Sequence, residues 1–216
     1  MPNDRRSVAR IQRTLVLVTA CVTAILAACS DAAAPAESTA AKQVDRAVIS
    51  AKRIAAAIPG ASVAQGLLRE RPLSSTISVT TEISNLGGTV DLPEAGIQLV
   101  VPPNAFAEPS MTITVRALAG SMVAYDFEPH DATFLAPLRF VQKTGHTNWR
   151  EVSLPPGFVP QSSGAYFPNT SLIDPATGVA VVSEFVPLVS VEGAGEISFD
   201  VWHFSGYLVS TGRIGN

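Results

Sequence analysis

The groups in this 216-residue chain able to act as nucleophile, base or metal ligand are few: two cysteines, three histidines and scattered hydroxyls. Both thiols, Cys21 and Cys29, precede Ser30, so the remainder holds no disulfide and no thiolate metal ligand. His130, His146 and His203 lack the carboxylate or second-histidine spacing of a zinc or iron centre, and no metal or other cofactor is expected. A phosphate-cradling loop and a Gly-x-Ser-x-Gly elbow are absent from the sequence, and Gly206, Gly212 and Gly215 have no strand-loop-helix context. His130 and Asp131 flank a turn as a candidate acid-base pair, but adjacent turn residues seldom face each other, so a structural histidine is the expectation. His203 and Ser205, either side of Phe204, are the remaining arrangement of chemical interest; on a sandwich strand they are exposed positions around a core phenylalanine.

Composition narrows the roles open to these residues. A net charge of -3, with charged residues at only 15% and both signs interspersed, leaves no footprint for nucleic acid. Hydrophobic residues at 47% exclude a disordered chain, and sixteen prolines and fifteen glycines spread along it read as turns between many short strands. The length suits one ordinary domain once a targeting segment is set aside.

That segment spans 1–28. Arg5, Arg6, Arg10 and Arg13 form a basic region and Leu15 to Ala28 an apolar stretch, which closes on Leu26-Ala27-Ala28-Cys29. The closing tetrapeptide resembles a lipobox. The resemblance implies a bacterial lipoprotein cut between Ala28 and Cys29, with a diacylglyceryl group on Cys29 as its membrane partner. A retained transmembrane anchor is the alternative, but about fourteen apolar residues fall short of the roughly twenty that span a bilayer. Arg5-Arg6 as a twin-arginine signal is a lesser one. Ser30 stands where an inner-membrane retention signal places aspartate, so the expected address is the cell envelope, at the outer membrane.

Residues 29–41, rich in Ala, Ser, Thr and Pro, read as a flexible tether. A short helical segment is expected over 42–73, because Val44, Ala47, Val48, Ala51, Ala55 and Ile58 share one face before Pro59-Gly60 stops it. Its basic residues allow a membrane-surface helix; the alanine-rich face favours light packing on the domain. From Ser74 the period becomes two, as in Met111 to Ala117 and Glu196 to Val201. Thr76 to Ile83, Ile97 to Val101, Met122 to Phe127, Thr133 to Gln142, Val179 to Val191 and Ser205 to Ser210 are further strands. About eight in all predict a mainly β chain: an antiparallel β-sandwich over 74–216, preceded by signal segment, tether and helix. Leu154 to Gly178 is broken by prolines and reads as a long loop. Trp149, Phe158, Tyr166 and Phe167 in or beside it either pin it down or offer a glycan- or peptide-binding surface.

Gly87-Gly88-Thr89-Val90-Asp91-Leu92, Gly96 to Phe106, Phe127 to Leu138 and His203-Phe204-Ser205-Gly206-Tyr207 together resemble, in order, the ZU-five domain of zonula occludens scaffolds, netrin receptors and ankyrins. The same residues make local sense: Gly87-Gly88 supplies positive φ, Pro102-Pro103 ends a strand, and Ala105-Phe106 starts a turn that buries the ring. The resemblance implies a sandwich that binds another envelope macromolecule without enzymatic turnover. It also implies a second reading, since some relatives cleave themselves at a His-Phe-Ser tripeptide. Ser205 would then attack the carbonyl of Phe204 and His203 would take its proton.

Overall fold

The structure, a computed structural model, describes residues 38–192 and 195–215; the expected signal segment and most of the tether lie outside them. Helix α1 (Thr39–Ala57) starts earlier than its apolar spacing indicates, because the Ser38 hydroxyl accepts the Ala41 N–H at 3.2 Å and caps it. The tether therefore gives way to helix at Thr39, inside the span read as linker. The expected face is the one that packs. Val48 and Ala51 are buried, and Val44, Ala47, Ala55 and Ile58 partly so, against Val63, Val179 and Val181. Lys42, Asp45, Lys52 and Arg53 are exposed.

The strands are β1 (Ser62–Gly66), β2 (Leu68–Leu73), β3 (Ile77–Ser84), β4 (Gly88–Leu92), β5 (Ile97–Val101), β6 (Ser110–Ala117), β7 (Gly120–Met122) and β8 (Ala124–Glu128). After them come β9 (Thr133–Lys143), β10 (Phe158–Phe167), β11 (Ile173–Asp174), β12 (Val179–Val182), β13 (Glu184–Val186), β14 (Leu188–Glu192), β15 (Glu196–His203) and β16 (Gly206–Ile214). They form a nine-stranded sheet, a five-stranded sheet in the order β14-β15-β9-β5-β4, and the pair β2-β7. The pairing is antiparallel, as expected.

Two segments correct the sequence reading. Residues 62–73 are not helical: β1 lies between β12 and β16. Val63 meets α1 while Ala64 packs in a cluster with Met122, Ala124 and Leu208. Apolar on both faces, β1 shows no alternation to read. The supposed loop from Leu154 to Gly178 contains β10, which pairs along β16. Pro160 is tolerated there because the register shifts between it and Ser163, and β13 pairs only Gly164 to Tyr166 on the other edge. The stretch Val179 to Val191 is three strands that pair respectively with β1, β10 and β15, so the chain changes sheet within it. Met122 to Phe127 likewise divides, with β7 on β2 and β8 on β16 and β6.

The turns behave as their residues require. Gly87 has φ 87°, and a Cβ there would stand 2.6 Å from the Val101 carbonyl oxygen. β5 ends before Pro102-Pro103, and Ala105 and Phe106 are buried.

The two large sheets face each other across one apolar core. Ile113, Val115, Tyr125, Phe127 and Tyr207 come from one side; Val90, Leu99, Leu138, Phe140, Phe199 and Val201 come from the other. Phe140 stacks on Phe199 at 4.3 Å and meets the edge of Tyr125 at 5.4 Å. Each such ring contributes about 1.5–3 kcal/mol by leaving water.

A chain beginning at residue 74 lacks β1 and β2 and leaves half of one edge of β16 unpaired. We expect it to lose its cooperative thermal transition in circular dichroism, whereas a chain beginning at residue 38 unfolds cooperatively as a β-rich domain. Cooperative unfolding of the shorter chain would contradict the central placing of β1.

Candidate functional site

His203 ends β15 in the five-stranded sheet and Gly206 begins β16 in the nine-stranded sheet, so Phe204-Ser205 is a strap between the two. Phe204 is fully buried, stacked on Phe127 at 5.4 Å and edge-on to Phe134 at 4.7 Å, one partner from each sheet. The strap's backbone is committed as well. Phe204 N–H donates to the Ala132 carbonyl at 2.8 Å, Asp131 N–H donates to the Phe204 carbonyl at 3.2 Å, and Phe127 N–H donates to the Ser205 carbonyl at 3.1 Å. At Gly206 a Cβ would come within 2.1 Å of the Phe167 ring, so only glycine lets β16 start here. Ser205 is buried rather than exposed, because the strap runs between the layers and not along a surface strand.

Cleavage chemistry at this strap needs a base in hydrogen-bond reach of the Ser205 hydroxyl. The His203 ring instead stands edge-on to Tyr166 at 4.8 Å. Tyr207 Oη lies 3.3 and 3.4 Å from its two nitrogens, aligned with neither, and donates to the His203 carbonyl at 3.0 Å. Among the described residues no hydrogen bond joins His203 to Ser205 Oγ, and left-handed backbone at non-glycine residues occurs at Asn104 and Asp131, outside the strap. One feature does favour attack: the Asp131 N–H already polarises the Phe204 carbonyl.

The other residues singled out in the sequence lie apart. His130 Nε2 is 3.4 Å from Asp126, four residues back, and is not paired with Asp131. Arg116 joins this group, 2.6 Å from Glu128, and its hydrogen bond holds the Glu128 carboxyl below the usual carboxylate range. Phe158 and Phe167 are buried, and Trp149 and Tyr166 are half-buried against the core, so these aromatics pin β10 and its neighbours. Ala28 and Cys29 fall outside the described residues.

A site that the sequence left unmarked is a cavity of about 710 Å³ between β2, the turn before β5, the end of β9 and the start of β15. Its lining includes Arg69, Gln142 and Thr147, all buried. Arg69 Nη1 donates to the carbonyls of Met122, Leu118 and Gly120, the last two at 3.4 and 3.5 Å, and its Cζ lies 5.6 Å from the Tyr125 ring centroid. Arg69 Nε and Nη2 are buried without a hydrogen-bond partner. Tyr125 Oη, 2.6 Å from Gln142 Oε1 and 2.8 Å from the Ala95 carbonyl, has one proton for two acceptors. Burial pushes the Tyr125 hydroxyl up to about 12, against the opposing pull of the Arg69 charge. No pattern in the sequence separates Arg69 from the exposed Glu70 and Arg71 beside it.

Comparison with known protein families and with curated proteins returned no match for this chain. Among the described residues no three His, Cys, Asp or Glu side chains gather as a metal site.

The raised Tyr125 hydroxyl makes folding favour the protonated phenol, so its stabilisation is complete below pH 10 and is lost as pH rises from about 10 towards about 12. Burial raises Tyr207 in the same sense. We expect unfolding free energy to fall by about 1.4 kcal/mol per pH unit for each such group across that window, and Tyr125→Phe to flatten the slope. Denaturant titrations at several alkaline pH values measure it; a slope unchanged in the variant contradicts the buried phenol.

Proposed function

We propose that this chain is a bacterial envelope lipoprotein, anchored through Cys29, whose ZU-five-like sandwich binds another macromolecule and is not cut at Phe204-Ser205. The lipobox-like Leu26 to Cys29 supports the anchor, and among the described residues no helix is long and apolar enough to cross a membrane. The observation that carries binding is a group of exposed apolar side chains on three adjacent strands of the five-stranded sheet. Leu135 on β9, Val189 on β14 and Trp202 on β15 are 72%, 50% and 54% exposed. Phe134, Leu188 and Val201 beside them turn into the core, so all three point away from it. Exposed apolar groups on one sheet face, with a tryptophan among them, suit a protein contact better than a solvated surface.

Against self-cleavage stands the cost to the fold. The cut would leave β16 held only by ladder hydrogen bonds and side-chain packing, and the geometry gives Ser205 no aligned base. Intact mass after prolonged incubation at neutral pH is expected to show one species. A fragment beginning at Ser205, abolished by Ser205→Ala, would overturn this half of the proposal.

The binding half is tested by capture from envelope extracts. The Cys29→Ala chain is expected to leave the membrane fraction, and Trp202→Ser to retain about a tenth or less of a captured protein, the loss of one interface anchor. Full capture by Trp202→Ser, or a Cys29→Ala chain still in membranes, sinks the corresponding claim.

A further inference from the structure

Charge is divided unevenly along the chain. Helix α1 holds four cations, Lys42, Arg46, Lys52 and Arg53, against one carboxylate, Asp45, whereas residues 58–216 hold seven cations against fourteen carboxylates. The helix is therefore +3 beside a remainder of -7. That charge is not spent on the domain's own carboxylates. The ion pairs among the described residues belong to Arg116, His130 and Arg139, and none involves the helix.

The helical period gathers the charge on one side. Lys42, Arg46, Ile49 and Arg53 follow one another at intervals of four, three and four, the spacing of a single face. By the same period this face lies opposite Val44, Val48, Ala51 and Ala55, which pack on the domain. All four residues of the stripe are exposed, and Ile49, at 53%, sets an apolar side chain among three cations. Asp45 stands to one side, in a row with Lys52. A cationic stripe with an apolar centre suits a phospholipid surface, where the cations meet phosphates and the isoleucine enters the boundary beneath them. Covalent geometry favours that occupant over a soluble one. Ten residues lead from Cys29 to Thr39 and reach at most about 35 Å whatever path they take, so an acyl group on Cys29 keeps the helix within that distance of lipid. We propose that α1 docks through Lys42, Arg46, Ile49 and Arg53 on an anionic phospholipid surface, a second membrane contact that orients the domain. The inference rests on the Cys29 anchor, and its test reads the two apart.

The chain has three lysines: Lys42 in the stripe, Lys52 beside it, and the exposed Lys143 at the end of β9. Amine acetylation followed by peptide mass spectrometry therefore reports docking without a label. With the membrane-extracted chain returned to vesicles, we expect Lys42 to react about tenfold more slowly, relative to Lys143, on phosphatidylglycerol-rich vesicles than on phosphatidylcholine. Replacing both arginines, Arg46→Gln with Arg53→Gln, should remove most of that protection, each cation shifting the docked-to-free ratio about fivefold. About 1 M salt, where the screening length is about 3 Å, should release the helix while the chain still floats with the vesicles. Equal Lys42 reactivity on the two kinds of vesicle, or full protection in the double variant, overturns the docking. Preference for soluble polyglutamate over anionic vesicles overturns lipid as the occupant and assigns the stripe to an acidic protein. Flotation lost in high salt overturns the anchor alone, because Lys42 protection is read at low salt.

Discussion

The pairing of β16 is the constraint on which the rest depends. Along one edge it pairs with β10 for almost its whole length; along the other it pairs first with β8 and then with β1. Tyr207 and Val209 face the core between the sheets, and Leu208 packs into the second cluster with Ala64, Met122 and Phe167. From Gly206 to Thr211 the strand is buried on both faces. A strand so enclosed needs all its backbone groups paired, which fixes where β1, β8 and β10 must lie. The helix and the outer strands then cover what those three leave open.

The strap preceding β16 turns that pairing into a sandwich. Phe204 sits between a ring of each sheet, and its backbone bonds hold the turn carrying Asp131. A tripeptide with the composition of a reactive site is here a clamp between layers. The surroundings of its side chains set it apart from a bare motif: the imidazole stands edge-on to Tyr166 and the Ser205 residue is buried next to Phe204, with no hydrogen bond between the two among the described residues.

What could be read from the residues divides along physical lines. Strands with one wet face, such as β5, β6 and β15, alternate and were legible almost to the residue, as was the apolar face of α1. β1 and β10 were not, because burial on both faces or an interrupting proline erases the period, and the stretch from Val179 reads as one strand where the fold has three. The same burial hid Arg69. Its neighbours in sequence are exposed charges, and only the fold shows that its donors stack on Tyr125 and reach the β7 carbonyls.

The late position of β16 in the chain bears on how the molecule is made. The Ser210 hydroxyl donates to the Gln65 carbonyl across 145 positions of sequence, and β1 and β8 both precede β16 by a long interval. Until the final strand arrives, β1, β8 and β10 have open edges and apolar faces with nothing between them, the state in which chains associate wrongly. Closure over such a separation is slow. The nascent polypeptide therefore has a long interval in which to remain extended, and a holding factor that occupied one of those edges would act in the place that β16 later fills.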